Sequence, residues 1–199
     1  MTGTPCIGAA QIIERETVYD GWYRFERLSI RMTDGSIAER HLLDNGSAAA
    51  VLPYDRERRC VLLITQARAG VLNAGEPPVL ECIAGNLSGD SPETCARKEA
   101  MEEAGVRLGD LEPVSNIWPI PPVSTERVQI YLAPYSAEDR IGPGGGCPEE
   151  NEQIAACEWN FDTLRELTFA GQLTDAKTLI AVQALMLRHP ELWRPLRND

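Results

Sequence analysis

Residues 91–105, SPETCARKEAMEEAG, leave little freedom in how this part of the chain folds. Ser91 can cap a helix with its side chain, and Pro92 suits the first helical position, where a missing N–H costs nothing. Glu93 suits the positive end of the helix dipole. Gly105 suits the stop. The spacing predicts a helix over residues 92–104. Glu99, Glu102 and Glu103 then share one face, at i, i+3 and i+4. Like charges so placed repel by roughly 0.2–0.5 kcal/mol per pair. The other face carries the small residues Cys95, Ala96 and Ala100, which suit packing. The carboxylates must therefore be solvated, as most Glu-rich helix faces are, or be covered by a cation.

The flanks set this helix in an α/β context. Before it, Gln11–Tyr23, Arg24–Met32 and the stretch toward His41-Leu42-Leu43 read as strands, broken by Asp20-Gly21, Asp34-Gly35 and Asn45-Gly46. Ala48–Pro53 and Cys60–Gln66 are apolar runs that suit a pair of buried strands, and VLNAGEPP reads as a loop. Val79–Ala84 is an apolar strand that feeds through GNLSGD into the helix. After it, Leu111–Trp118, Arg127–Ala133 and Ile154–Trp159 read as strands, residues 135–152 as a long loop, and Phe161–Phe169 and Asp175–Arg188 as helices. This order predicts an α/β (mixed α+β) fold, with helices layered on a mixed sheet and an antiparallel strand region at the N-terminal end.

Net charge of −11 argues against a nucleic-acid partner, and an anionic substrate would need metal ions or local arginines. No apolar run reaches the ~20 residues of a membrane helix. MTGTPCIGAAQIIERE lacks the basic-then-apolar order of a secretory leader. The six cysteines form no C-x-x-C pair and there are only two histidines, which disfavours zinc and suits free thiols in a reducing cytoplasm. Carboxylates without His or thiolate form a hard-oxygen site, suited to Mg²⁺ or Mn²⁺. The spacing is not that of a calcium loop.

Residues 85–106 resemble the Nudix box, G-x5-E-x7-R-E-U-x-E-E-x-G-U with U apolar. Gly85, Asp90, Lys98-Glu99-Ala100-Met101-Glu102-Glu103 and Gly105-Val106 carry the match. Three departures stand out: the Gly-to-acid spacing is one residue short, Asp90 replaces Glu and Lys98 replaces Arg. ETVYDGWY, QAR, LECIAG, PPVSTE and ENE are similar to the ADP-ribose and nucleotide-sugar pyrophosphatase branch over nearly the whole chain. ETCARKEAMEEAG, the GGG before ENE, and DAKT resemble its GDP-mannose pyrophosphatases, as do the shortened loop and the lysine.

The resemblance implies Mg²⁺-dependent hydrolysis of a nucleoside diphosphate sugar, with GDP-mannose giving GMP and mannose 1-phosphate. The alternatives are ADP-ribose, giving AMP and ribose 5-phosphate, and a catalytically weak Nudix-fold nucleotide sensor. It implies metal binding by Glu99, Glu102, Glu103, Glu152 and the carbonyl of Ala84, with Glu150 as general base. It implies substrate contacts from Trp22, Arg40, Arg68 and Glu126. It further implies residues 1–45 as a strand region for dimerisation and substrate contact, and 46–199 as the hydrolase domain of a cytoplasmic homodimer with exchanged N-terminal strands.

Overall fold

The computed structural model describes residues 9–147, 149 and 152–194. The chain divides into two compact units. One comprises the residues up to Ser47 together with Trp118–Arg127; the other comprises Ala48–Ile117 and the chain from Val128 onward.

The smaller unit is an antiparallel sheet of β1 (Gln11–Asp20), β2 (Arg24–Arg31) and β3 (Ile37–Asp44), in that order. Ion pairs lace the strands together: Arg15 to Glu26 at 2.8 Å, Arg24 to Asp44 at 2.6 Å, and Arg27 to Glu16. Phe25 stacks on His41 with centroids 5.4 Å apart. The segment 118–127 joins this unit through Thr125 N–H to Leu43 O at 3.0 Å and Thr125 Oγ1 to Asp44 at 2.8 Å. All ten residues of β1 are exposed.

The larger unit is built on a second sheet. It contains β4 (Ser47–Asp55), β5 (Cys60–Thr65), β6 (Ile83–Asn86), β7 (Glu112–Ile117), β8 (Arg127–Pro134) and β9 (Ala155–Asn160). The order is β7-β8-β4-β5-β9, and β6 pairs with β4. Helices cover both faces: α2 (Pro92–Ala104) on one, α3 (Phe161–Phe169) and α4 (Ala176–Arg188) on the other. The period of two in a strand explains the division. Ala50, Leu52, Val61 and Leu63 pack with Phe161, Val182 and Leu185, while Ala49, Val51, Leu62 and Ile64 pack with Cys95, Ala96 and Ala100. Strands buried on both faces account for the unbroken apolar runs in the sequence.

The helix start is as its sequence implies: Thr94 N–H donates to Ser91 Oγ at 3.2 Å, with Pro92 in the first turn. Two sequence expectations need correction. VLNAGEPP is not all loop, because Ala69–Ala74 forms the short helix α1, ended by Gly75 in the left-handed region. Its six residues bury no side chain, so it leaves no periodic apolar face to read. The strand before the acidic helix begins at Ile83 rather than Val79; Glu81 contributes only an isolated bridge to Ile64. Among the described residues, five cysteines are free thiols, and no helix is long and apolar enough to cross a membrane.

Candidate active site

The acids meet at the junction of β6 and α2. Small residues Ala96, Ala100 and Ala104 bring α2 close against the sheet. That seats Glu103, one residue short of the helix end, inside the protein at 1% exposure. Ala84 N–H donates to Glu103 Oε2 at 3.2 Å, tying the strand to the helix. Gly85 lies under the Glu99 carboxylate: a Cβ there would sit 2.0 Å from Glu99 Oε1, so no larger residue fits without moving it. Glu152, arriving from the long loop, accepts from Cys147 N–H at 3.2 Å and adds its charge beside Glu103.

Burial is the main reason the Glu103 carboxyl is pushed up to about 8. The Ala84 N–H opposes this, the negative charges of Glu99 and Glu152 reinforce it, and Arg68 opposes it weakly. A carboxylate with two acids near it and a single backbone donor is short of positive charge. Among the described residues no three His, Cys, Asp or Glu side chains converge as a complete ligand set. A hard divalent ion needs no such cage, because it takes one or two carboxylates and completes its shell with water and phosphate. The buried Glu103 carboxylate, with the partly exposed Glu99 and Glu152 near it, fits an ion of that kind.

Glu102 is placed differently. Its side chain is 39% exposed and pairs with Lys98 Nζ at 3.7 Å, an i,i+4 surface pair. Glu150 lies outside the described residues. Trp22, Arg40 and Glu126 all belong to the smaller unit. Trp22 is 81% exposed at the β1–β2 turn and meets Tyr23 edge-on, Arg40 donates to the Glu39 carbonyl at 2.7 Å, and Glu126 N–H donates to Ser124 Oγ at 3.0 Å.

Arg68 draws together side chains from three of the quoted motifs, QAR, LECIAG and DAKT, of which only Arg68 carried an expected role. Its Nε and Nη2 donate to the two oxygens of Glu81 at 2.8 and 2.9 Å. Lys177 Nζ donates to Glu81 at 2.6 Å and to Asp175 at 2.8 Å. Asp175 in turn caps α4 through Thr178 N–H at 2.9 Å. Thr178 Oγ1 accepts from Cys82 N–H at 2.7 Å and donates to Asp175 at 2.6 Å. The signal is present in LECIAG: an acid inside an apolar run must find a distant cation.

The NUDIX domain matches residues 44–180. The chain belongs to the Nudix family. It is 34% identical over 184 residues to a GDP-mannose pyrophosphatase of Cronobacter sakazakii, covering 89% of this chain and 95% of that protein. It is 32% identical over 183 residues to a GDP-mannose pyrophosphatase of an Enterobacter species, with the same coverage. Among solved structures, that of an ADP compounds hydrolase superposes with a TM-score of 0.74 at 18% identity, over 96% of this chain and all of the other. That likeness supports the Nudix fold. Nudix hydrolases generally use divalent metal ions, which agrees with the charge deficit around Glu103.

Proposed function

We propose that this Nudix pyrophosphatase hydrolyses the diphosphate bond of a nucleoside diphosphate sugar in the presence of Mg²⁺, converting GDP-mannose to GMP and mannose 1-phosphate. One observation carries the chemistry: Glu103 is a fully buried carboxylate with Glu99 and Glu152 for neighbours and too little positive charge to balance them. Identity to GDP-mannose pyrophosphatases across most of the chain supports the substrate.

Glu103 and Glu99 would hold the ion on α2, joined by Glu152 and the Ala84 carbonyl, while Glu102 stands at the exposed edge of the same helix. The bound ion would neutralise phosphate charge and make water easier to deprotonate. Glu150 accepts the proton of the attacking water. Arg68, aligned by Glu81, presents its remaining N–H groups to phosphate oxygens. Trp22, Arg40 and Glu126 contact the nucleobase, phosphate and distal sugar. The protein works in the cytoplasm as a homodimer with exchanged N-terminal strands; the exposure of Ile12, Ile13, Val18 and Tyr19 along β1 supports a partner there.

The test is a panel of GDP-mannose, ADP-ribose, NADH, a dinucleoside polyphosphate and a nucleoside triphosphate, each with Mg²⁺ or Mn²⁺. Turnover of GDP-mannose should lead. Glu103→Gln should lower kcat on the order of 10²–10³-fold while the fold is retained. Preference for ADP-ribose would replace the substrate assignment, and normal turnover by Glu103→Gln would remove the metal site. Full kcat in Glu150→Gln would remove the base assignment alone.

A further inference from the structure

A glycine-rich loop invites the expectation of a lid that closes over substrate. In this protein the glycines before Glu152 also pack against the end of the acidic helix. The acidic helix α2 ends in a left-handed glycine cap: Gly105 N–H donates to Met101 O at 3.0 Å and Val106 N–H to Ala100 O at 3.1 Å. That leaves the carbonyls of Glu102 and Glu103 without intrahelical donors. Gly146 N–H donates to Glu102 O at 3.0 Å, and Gly145 N–H to Glu103 O at 2.9 Å. Ile141 and Gly142 donate to Gly105 O at 2.9 and 3.0 Å. Residues 141–147 thus form a strap bound along the end of the helix that carries the acids.

Two of its glycines are required by space as well as by backbone angle. Gly144 has φ +64, and a Cβ there would lie 2.6 Å from Glu103 O. Gly146 has φ +87, and its Cβ would lie 2.7 Å from Glu152 Cβ and 2.9 Å from Glu152 Oε2. On its far side the strap holds Glu152 twice and Ile154, two residues on, once. Cys147 N–H reaches the carboxylate at 3.2 Å, Glu152 N–H returns to Cys147 O at 3.4 Å, and Ile154 N–H reaches Gly145 O at 3.2 Å. One face of the strap grips Glu103's backbone and the other grips Glu152's side chain.

We propose that Gly144 and Gly146 are positioning residues: the strap they allow sets the separation of Glu103 and Glu152 before any ion or substrate arrives. This rests on the metal reading given above. It adds that the loop's contribution to the site is built in advance rather than folded over the ligand. Preset ligands lose less freedom when the ion binds, so the benefit lies in metal affinity. Displacing groups that orient metal ligands typically costs about 10–100-fold in affinity.

The experiment titrates Mn²⁺, followed by electron paramagnetic resonance, into the full chain without substrate. Gly146→Ala should weaken Mn²⁺ about tenfold, with KM for GDP-mannose nearly unchanged and kcat recovered at saturating metal. In a Glu152→Ala background the same change should have no further effect. Gly171→Ala, at φ +68 with nothing within 4 Å of its Cβ, carries similar backbone strain and should leave Mn²⁺ binding untouched. Unchanged affinity in Gly146→Ala, or an equal loss in the Glu152→Ala background, overturns the proposal. If Gly146→Ala does not fold, amide exchange on the unaltered protein decides. Gly145 and Gly146 should be protected in the metal-free state, and open-chain exchange rates that slow only with substrate overturn the strap. Failure of the metal reading shows separately, as a native chain that takes no Mn²⁺ and a Glu103→Gln variant with full turnover; that result withdraws both.

Discussion

Glu81 and Glu103 are the same residue type at nearly the same burial, 2% and 1% exposed, on either side of Ala84. Their charge states run in opposite directions. Burial pushes Glu81 up, but Arg68 and Lys177 outweigh it and hold the carboxyl below its usual range. Burial pushes Glu103 up to about 8, and Glu99 and Glu152 push the same way. A buried charge must be compensated by its surroundings or by proton uptake. For Glu81 the chain supplies the compensation itself, through a bidentate arginine and a lysine. For Glu103 it supplies one backbone N–H and then more negative charge. The comparison separates a carboxylate built to orient its neighbours from one left to receive a cation.

The widest separation between the two should come from neutralising them one at a time. Glu103 has a folded value of about 8 against 4.5 for the unfolded chain. Between those values the folded state holds a proton that the unfolded state has released, so stability falls as pH rises across that window. A tenfold difference in proton affinity is worth about 1.4 kcal/mol, so the loss across the window amounts to a few kcal/mol. Urea melts of metal-free protein should therefore weaken from pH 5 to pH 8. Glu103→Gln should flatten that profile and be more stable than the native chain at pH 8, while losing turnover. Added Mg²⁺ should restore stability to the native chain at pH 8 through binding to the folded state. A flat native profile without metal would show that Glu103 is already compensated.

Glu81→Gln should do the reverse. It removes the anion that Arg68 and Lys177 share; Arg68 is partly exposed and Lys177 keeps Asp175, so the cost should be about 1–3 kcal/mol. With its folded value depressed, the Glu81 carboxylate contributes stability that is present above its unfolded value. That stability is lost as pH falls through the folded one. The variant should consequently lose most at neutral pH and converge on the native chain in acid. Turnover should fall about tenfold, through a misaligned Arg68, with Mn²⁺ affinity retained. If Glu81→Gln lost metal binding as fully as Glu103→Gln, the two carboxylates would belong to one site.

The acidic helix was legible residue for residue, because caps, proline and the apolar face all agree within fifteen positions of sequence. So were the buried strands, whose runs need two covered faces. The Arg68–Glu81–Lys177 network was not. Its members are separated by 13 and 96 positions and meet only because the segment before β6, the start of α4 and the segment after β5 converge. Lys177 reads locally as a polar residue in a helix's first turn. The strap was half legible: glycines before Glu152 imply backbone freedom, but whether that freedom serves motion or close packing depends on the end of α2. Glu102 was legible as part of the helix face, yet its depth was not. A face at i, i+3 and i+4 spans a wide arc, and which edge is buried depends on where the sheet lies.

That last point gives the smallest expected effect and the sharpest check on dividing the carboxylates by burial. Glu102 pairs with Lys98 at the surface, a contact worth at most about 1 kcal/mol. Glu102→Gln should leave stability within about 0.5 kcal/mol and Mn²⁺ affinity within a few-fold. The Glu102 carbonyl accepts from Gly146 N–H through the backbone, and any residue at that position keeps this contact. The substitution therefore isolates the carboxylate from the strap. Should Glu102→Gln lose as much turnover as Glu103→Gln, an exposed carboxylate at the rim would be contributing as much as the buried one. In that case depth on the helix would not determine which acid meets the ion, and the contrast between Glu81 and Glu103 would describe stability alone.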